Sequence, residues 1–143
     1  MKSFLSVAAL LAAVISATPA LADAPKCDGS EFAAFRTEFT AAANANDKAK
    51  LAKMIAFPVE YWATMTKGNA QTDGVKTEAE FLQRYDTLFT AFMKKGLKTA
   101  KLLSLPDGHC ALTWHDANSE FSFEFQYVPN AGYRMSGYDV GAY

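Results

Sequence analysis

Past its N-terminal residues the sequence holds no apolar run near the roughly 20 residues needed to cross a ~30 Å hydrocarbon core, so the body of the chain is not expected to enter a membrane. It lacks any Gly-x-Gly-x-x-Gly or phosphate-loop pattern, the backbone cradles used for dinucleotides and triphosphates. No Gly-x-Ser-x-Gly elbow raises a nucleophilic serine. Charge of one sign is scarce. Lys+Arg 14 against Asp+Glu 15 leaves −1 at pH 7, with no basic patch, so nucleic acid is not an expected partner. Histidine and cysteine number two each. Six residues apart on an extended segment, His109 and His115 would stand about 20 Å apart at ~3.3 Å per residue. They cannot share an ion that needs three or four converging ligands, so neither a metal nor a cofactor is expected. Without Cys-x-x-Cys or Cys-x-x-Cys-His, a thioredoxin-type pair and a c-type haem site are excluded.

What the chain does have begins at its start. Lys2 precedes an apolar stretch of about 12 residues, too short to span a bilayer. Pro19 closes it, and Ala20-Leu21-Ala22 fits the small-x-small rule for signal peptidase. A cleaved leader over residues 1–22 and a periplasmic or secreted product are expected. Cys27 follows Pro25-Lys26 rather than small residues, which argues against a lipid anchor. In an oxidising compartment Cys27 and Cys110 read as one disulfide. Closing a loop of roughly 80 residues would stabilise the domain by ~4 kcal/mol. Removal of the leader leaves a chain of the size of one domain, with all of the eleven Phe except Phe4 to fill its core.

Residues 23–30 read as a short tether and 31–143 as a single domain. Asp28 is a candidate N-cap, with Glu31 reaching back to it. Phe32, Phe35, Phe39 and then Ala42 or Ala43 recur at helical spacing over residues 31–45. Asp47 can cap a second short helix carrying Leu51, Met54 and Ile55, which Phe57-Pro58 ends. The two make a helical hairpin. Residues 59–66, aromatic and β-branched, read as a strand, and 67–74, with two glycines, Asn69 and Asp73, as a loop. Thr77 and Glu80 then open one long helix whose face is Phe81, Leu82, Tyr85, Leu88, Phe89, Phe92 and Met93. Lys94, Lys95 and Gly96 are expected to close it.

From residue 97 the period changes to two. Phe121, Phe123, Phe125 and Tyr127 alternate with Glu120, Ser122, Glu124 and Gln126, and residues 109–115 alternate likewise. A turn at Ala117-Asn118 sets Trp114 opposite Phe121, Leu112 opposite Phe123 and Cys110 opposite Phe125. A slip of one residue would mix the wet and apolar faces, so this register is favoured. Further strands are expected over residues 97–105 and 133–140. The class is α+β: a helical hairpin and one long helix packed on one face of an antiparallel sheet. The run from Asn46-Asp47-Lys48 to Phe57-Pro58, the Thr77-to-Tyr85 helix and the strand-rich end resemble small exported members of the NTF2-like (cystatin-like fold) superfamily, over roughly residues 31–140. That resemblance implies a curved sheet wrapped around a long helix, a cone-shaped pocket and frequent dimers.

Three functional readings stand beside that fold. The first is a non-catalytic binding domain for a small apolar ligand or a protein partner. Tyr61, Trp62, Tyr85, Tyr133 and Tyr138 are its pocket candidates, and Tyr61, Tyr85 and Tyr133 could converge between helix and sheet. The second is a pocket enzyme of the isomerase or dehydratase type that the resemblance implies. Asp86, at the margin of the long helix's apolar face, would be its base. The third is an inhibitor or immunity-type protein acting on a secreted hydrolase. The polar sheet face with Thr113, His115, Glu120, Ser122 and Glu124 offers a surface for a partner or a homodimer.

Overall fold

The computed structural model describes residues 25–66 and 69–142. The expected leader, residues 1–22, lies outside the described residues. Helix α1, Ser30–Ala45, buries Phe32, Phe39, Ala42 and Ala43. Its N-cap is Gly29, not Asp28, and no side chain caps it. Asn46 ends it in the left-handed region at φ 55°, a conformation that asparagine tolerates. Asp47 Oδ1 then accepts the Lys50 amide at 3.0 Å and starts α2, Lys48–Lys53, as the sequence indicates.

Strand β1, Val59–Thr66, pairs with β2, Asn69–Val75, where a loop was expected. Strand β2 lies at one edge of the sheet and exposes Gln71, Thr72 and Asp73. An edge strand with so little buried surface carries no apolar alternation to read.

The expected long helix is two. Helix α3, Glu78–Leu88, starts on Thr77, whose Oγ1 accepts the Glu80 amide. Glu80 returns its carboxylate to the Lys76 amide at 2.8 Å, one residue short of a reciprocal box. That N–H and the Arg84 guanidinium hold the Glu80 carboxyl below its ordinary range. The chain leaves helical geometry at Phe89 (φ −112°, ψ 70°). Thr90 Oγ1 accepts the Met93 amide and starts α4, Ala91–Thr99. Gly96 is therefore no C-cap. It lies buried inside α4, where a Cβ would come within 2.2 Å of the Trp114 indole Nε1.

Strands β3, Lys101–Ser104, β4, Cys110–His115, β5, Ser119–Val128, and β6, Gly132–Ala142, complete a six-stranded sheet ordered β2-β1-β6-β5-β4-β3. It is mixed rather than wholly antiparallel, because β1 and β6 run parallel through Trp62 and Tyr138. The β4–β5 hairpin has the expected register: Trp114 opposite Phe121, Leu112 opposite Phe123, Cys110 opposite Phe125 and His115 opposite Glu120. Phe121, Phe123 and Phe125 are all buried. Phe123 meets Phe39 of α1 at 6.0 Å and Phe89 at 5.6 Å, and Phe125 meets Phe32 at 5.6 Å. The helices thus cover the apolar side of the hairpin.

Cys27 and Cys110 form a disulfide, with Cα atoms 5.5 Å apart and a separation of 83 positions in sequence. It ties the segment before α1 to the first residue of β4, and its loop length corresponds to about 4 kcal/mol of chain-entropy stabilisation. Tyr133 adds a second tie by donating its hydroxyl to the Pro25 carbonyl at 2.6 Å. Arg36 anchors the other side, donating to the Ala100 carbonyl at 2.7 Å just past α4. Among the described residues no helix is long and apolar enough to cross a membrane.

Candidate functional site

The site follows from the break between α3 and α4. A continuous helix would lie along the sheet; the bend at Phe89-Thr90 instead redirects α4 and leaves a cleft of about 440 Å³ against the sheet. Ala63 of β1, Phe121 of β5 and Tyr138 of β6 form its sheet side, and Phe92 and Met93 come from the first turn of α4. Met93, Phe121 and Tyr138 are buried, whereas Phe92 is 43% exposed and so belongs to the lip. The Phe92 ring rests on Phe121, edge to face, at 4.7 Å.

Two irregularities in the sheet decide which aromatic side chains face the helices, and the second brings Tyr138 into this cleft. Val59 faces the core, and simple alternation would send Tyr61 inward after it. The pairing of β1 shifts between Val59 and Trp62, so Trp62 is buried and Tyr61 is not. On β6, Met135 pairs with Phe125 and Gly137 with Glu124, one residue out of step. That irregularity exchanges the faces beyond Ser136 and turns Tyr138 inward. Its ring lies 4.9 Å from Phe123 and 6.2 Å from both Trp62 and Trp114.

The polar groups of the cleft are few and mostly occupied. Thr90 caps α4, and Thr87 donates its hydroxyl to the Arg84 carbonyl at 2.8 Å. Asp116, in the β4–β5 turn, accepts the Asn118 and Ser119 amides on the same oxygen, each at 2.9 Å. Thr64 of β1 completes the polar lining. Among the described residues the lining contains no histidine, lysine or arginine. Burial, with a smaller contribution from the neighbouring Asp139 carboxylate, pushes the Tyr138 phenol well above its ordinary value. That moves it away from neutrality, the wrong direction for a base near pH 7. The arrangement can enclose an apolar group and orient it by a few polar contacts; it does not assemble an acid–base pair.

No family model matches this chain, and no curated protein matches it.

The remaining candidates from the sequence are scattered. Trp62 lies in the core beside Tyr138. Tyr61 stands on the opposite sheet face and donates its hydroxyl to Asp139 at 2.9 Å. There it lines a second hollow of about 560 Å³ with Glu60, Glu124 and Asp139. Tyr85 is fully buried, stacked on Phe89 at 5.6 Å, with the Lys48 and Lys94 ammonium groups 4.7 and 5.2 Å from its ring centre. Tyr133 belongs to the far end of the core, against Phe32 at 4.9 Å. Tyr61, Tyr85 and Tyr133 do not converge. Asp86 is 84% exposed, pairs with Lys48 at 3.3 Å and is not part of the cleft lining. Among the described residues no group of three or more His, Cys, Asp or Glu could hold a metal ion.

Ala63, Thr64, Thr87, Thr90, Phe92, Met93, Asp116 and Phe121 are cleft residues that the sequence reading did not single out for a pocket. One signal was available: a Thr three residues before Met93 is a helix start within an otherwise helical pattern.

The buried phenols carry a pH dependence. Tyr138, Tyr133 and Tyr85 are all raised from 10.0, each mainly by burial. Their neutral form is favoured in the folded state, so this contribution is intact below the unfolded value and lost as pH rises above it. Stability should stay level to about pH 10 and then fall by about 1.4 kcal/mol per pH unit for Tyr138 alone. Urea unfolding at a series of alkaline pH values measures this. In Tyr138→Phe the fall should be shallower by that amount.

Proposed function

We propose that this chain is an exported binding domain of the NTF2-like type whose cleft between α4 and the sheet takes a small apolar ligand. The carrying observation is the cleft itself: walls of Ala63, Phe92, Met93, Phe121 and Tyr138, without an acid–base pair. Its volume of about 440 Å³ falls in the range of roughly 300–1,000 Å³ common for small-molecule sites. The element order and the strand order β2-β1-β6-β5-β4-β3, with helices over one face, support the fold assignment. The Cys27–Cys110 disulfide supports an oxidising compartment, periplasmic or extracellular.

The enzyme reading with Asp86 as base has no such support, since its exposed carboxylate is paired with Lys48. A symmetric dimer through the outer sheet face is also disfavoured. Glu60, Glu124 and Asp139 gather there, and an isologous contact would set this acidic patch against its own copy.

Nile red, a neutral dye that brightens in apolar surroundings, tests the proposal. Binding in the micromolar range, about −8 kcal/mol, is expected. Thr87→Trp places an indole at the exposed margin of the cleft and should weaken binding at least about tenfold, or 1.4 kcal/mol, while leaving the melting temperature nearly unchanged. Unaltered dye binding by a folded Thr87→Trp variant would place the dye elsewhere and remove the proposal.

A further inference from the structure

We infer that the ligand of this cleft is an amphiphile whose polar end is a protonated amine, held at the Asp116 carboxylate. The inference rests on the cleft being an apolar-ligand site and adds the chemistry of the polar end. Of the nine residues lining the cleft, five present apolar or aromatic surface and three are threonines; Asp116 alone carries a charge. Two cations on the helices that line the cleft, Arg84 of α3 and Lys94 of α4, are engaged elsewhere. Arg84 is held by Asp73 and Glu80 at 2.8 and 2.7 Å, and Lys94 reaches Asn46 and the Tyr85 ring. An anionic ligand such as a fatty carboxylate would thus bring its charge towards a carboxylate with no cation in the lining to offset it. An ammonium group meets the opposite situation.

The geometry of the turn strengthens the assignment. Both backbone amides that Asp116 receives go to Oδ1. They fix the carboxylate on the β4–β5 turn at the lip, while no hydrogen bond from the described residues is taken up by Oδ2. Thr64 supplies a hydroxyl acceptor in the same cleft, and Phe92 supplies a partly exposed ring at its mouth. Because Asp116 is exposed, the ion pair is partly screened. Exposed pairs contribute at most about 1 kcal/mol, so the amine should bind about three- to fivefold more tightly than a neutral analogue. Raising the salt concentration should shrink that preference.

The test is displacement of Nile red by n-octylamine, n-octanol and n-octanoate, from the wild-type protein and from Asp116→Asn. The asparagine keeps an Oδ1 acceptor for the two turn amides while removing the charge. The expected order in the wild type is octylamine, then octanol about three- to fivefold weaker, then octanoate weaker still. In Asp116→Asn, octylamine should fall to the level of octanol, and octanol should be unchanged. Octanol or octanoate matching octylamine in the wild type, or an amine preference that survives in Asp116→Asn, overturns the inference and leaves the apolar cleft standing. Dye binding with no displacement by octylamine overturns it equally. Absence of dye binding removes the cleft reading and this inference together.

Discussion

Replacing Phe123 by alanine is expected to cost about 3–5 kcal/mol, the largest loss from any single truncation in this core. Phe123 is fully buried, and its ring has six aromatic neighbours drawn from both layers. Tyr138 lies at 4.9 Å, Trp114 at 5.4 Å, Phe89 at 5.6 Å, Phe39 at 6.0 Å, Phe125 at 6.4 Å and Trp62 at 6.5 Å. Truncation removes the transfer energy of the ring and leaves a hole that rings held by one another cannot close. A domain of this size has about 5–15 kcal/mol to lose, so the variant should remain mostly folded but with a much lower urea midpoint. Leu102, only partly buried on strand β3, is the comparison. Leu102→Ala should cost less than about 2 kcal/mol. Equal losses for the two variants would contradict the placement of Phe123 at the centre of the core.

Gly96→Ala is expected to destabilise by about 2 kcal/mol, although alanine is the better helix former. Inside α4 the exchange gains roughly 1 kcal/mol of helix propensity. Against that stands the Trp114 indole, three of whose atoms would lie between 2.2 and 2.6 Å from the new Cβ. Trp114 cannot swing away freely, since it is stacked on Phe121 at 5.8 Å and packed against Phe123 and Tyr138. Overpacking of this kind costs about 1–3 kcal/mol, occasionally more, and a contact this short lies at the upper end. The sign is the informative part. Gly96→Ala with Trp114→Ala should recover the propensity gain, so the two changes should be strongly non-additive in chemical denaturation. A stabilising single Gly96→Ala would mean that α4 does not press on β4 at this point.

Much of the fold was legible in the sequence because the period of the apolar residues was strong. Phe121, Phe123 and Phe125 alternating with polar residues determined the face, the register against β4 and the position of Cys110. The Thr77 and Asp47 caps were visible for the same local reason. Three features were not. Strand β2 buries Val75 at its end but exposes Gln71, Thr72 and Asp73 along an edge, so it shows no apolar alternation. The break at Phe89-Thr90 was hidden because Phe92 and Met93 continue the helical spacing of Phe89, although Thr90 was a capping residue in plain view. Gly96 looked like a helix end because glycine is common there, whereas its role comes from Trp114, 18 positions on in sequence.

The site was less legible than the fold, and for a related reason. Alternation places Tyr61 and Trp62 on opposite faces but cannot say which faces inward once a bulge intervenes. The irregularities in β1 and β6 decide that Trp62 and Tyr138 turn towards the helices and Tyr61 away. A cleft made by a helix break and a bulge in β6 leaves no motif in the chain.

Methyl NMR during titration with n-octanol addresses the cleft most directly, because a neutral alcohol reports on the apolar walls without invoking Asp116. The methyl groups of Met93, Ala63 and Thr64 should shift together with one dissociation constant, while Ala56 in the hollow on the opposite sheet face stays still. Shifts confined to Ala56 and its neighbours, or none at saturating octanol, would contradict the assignment of the binding site.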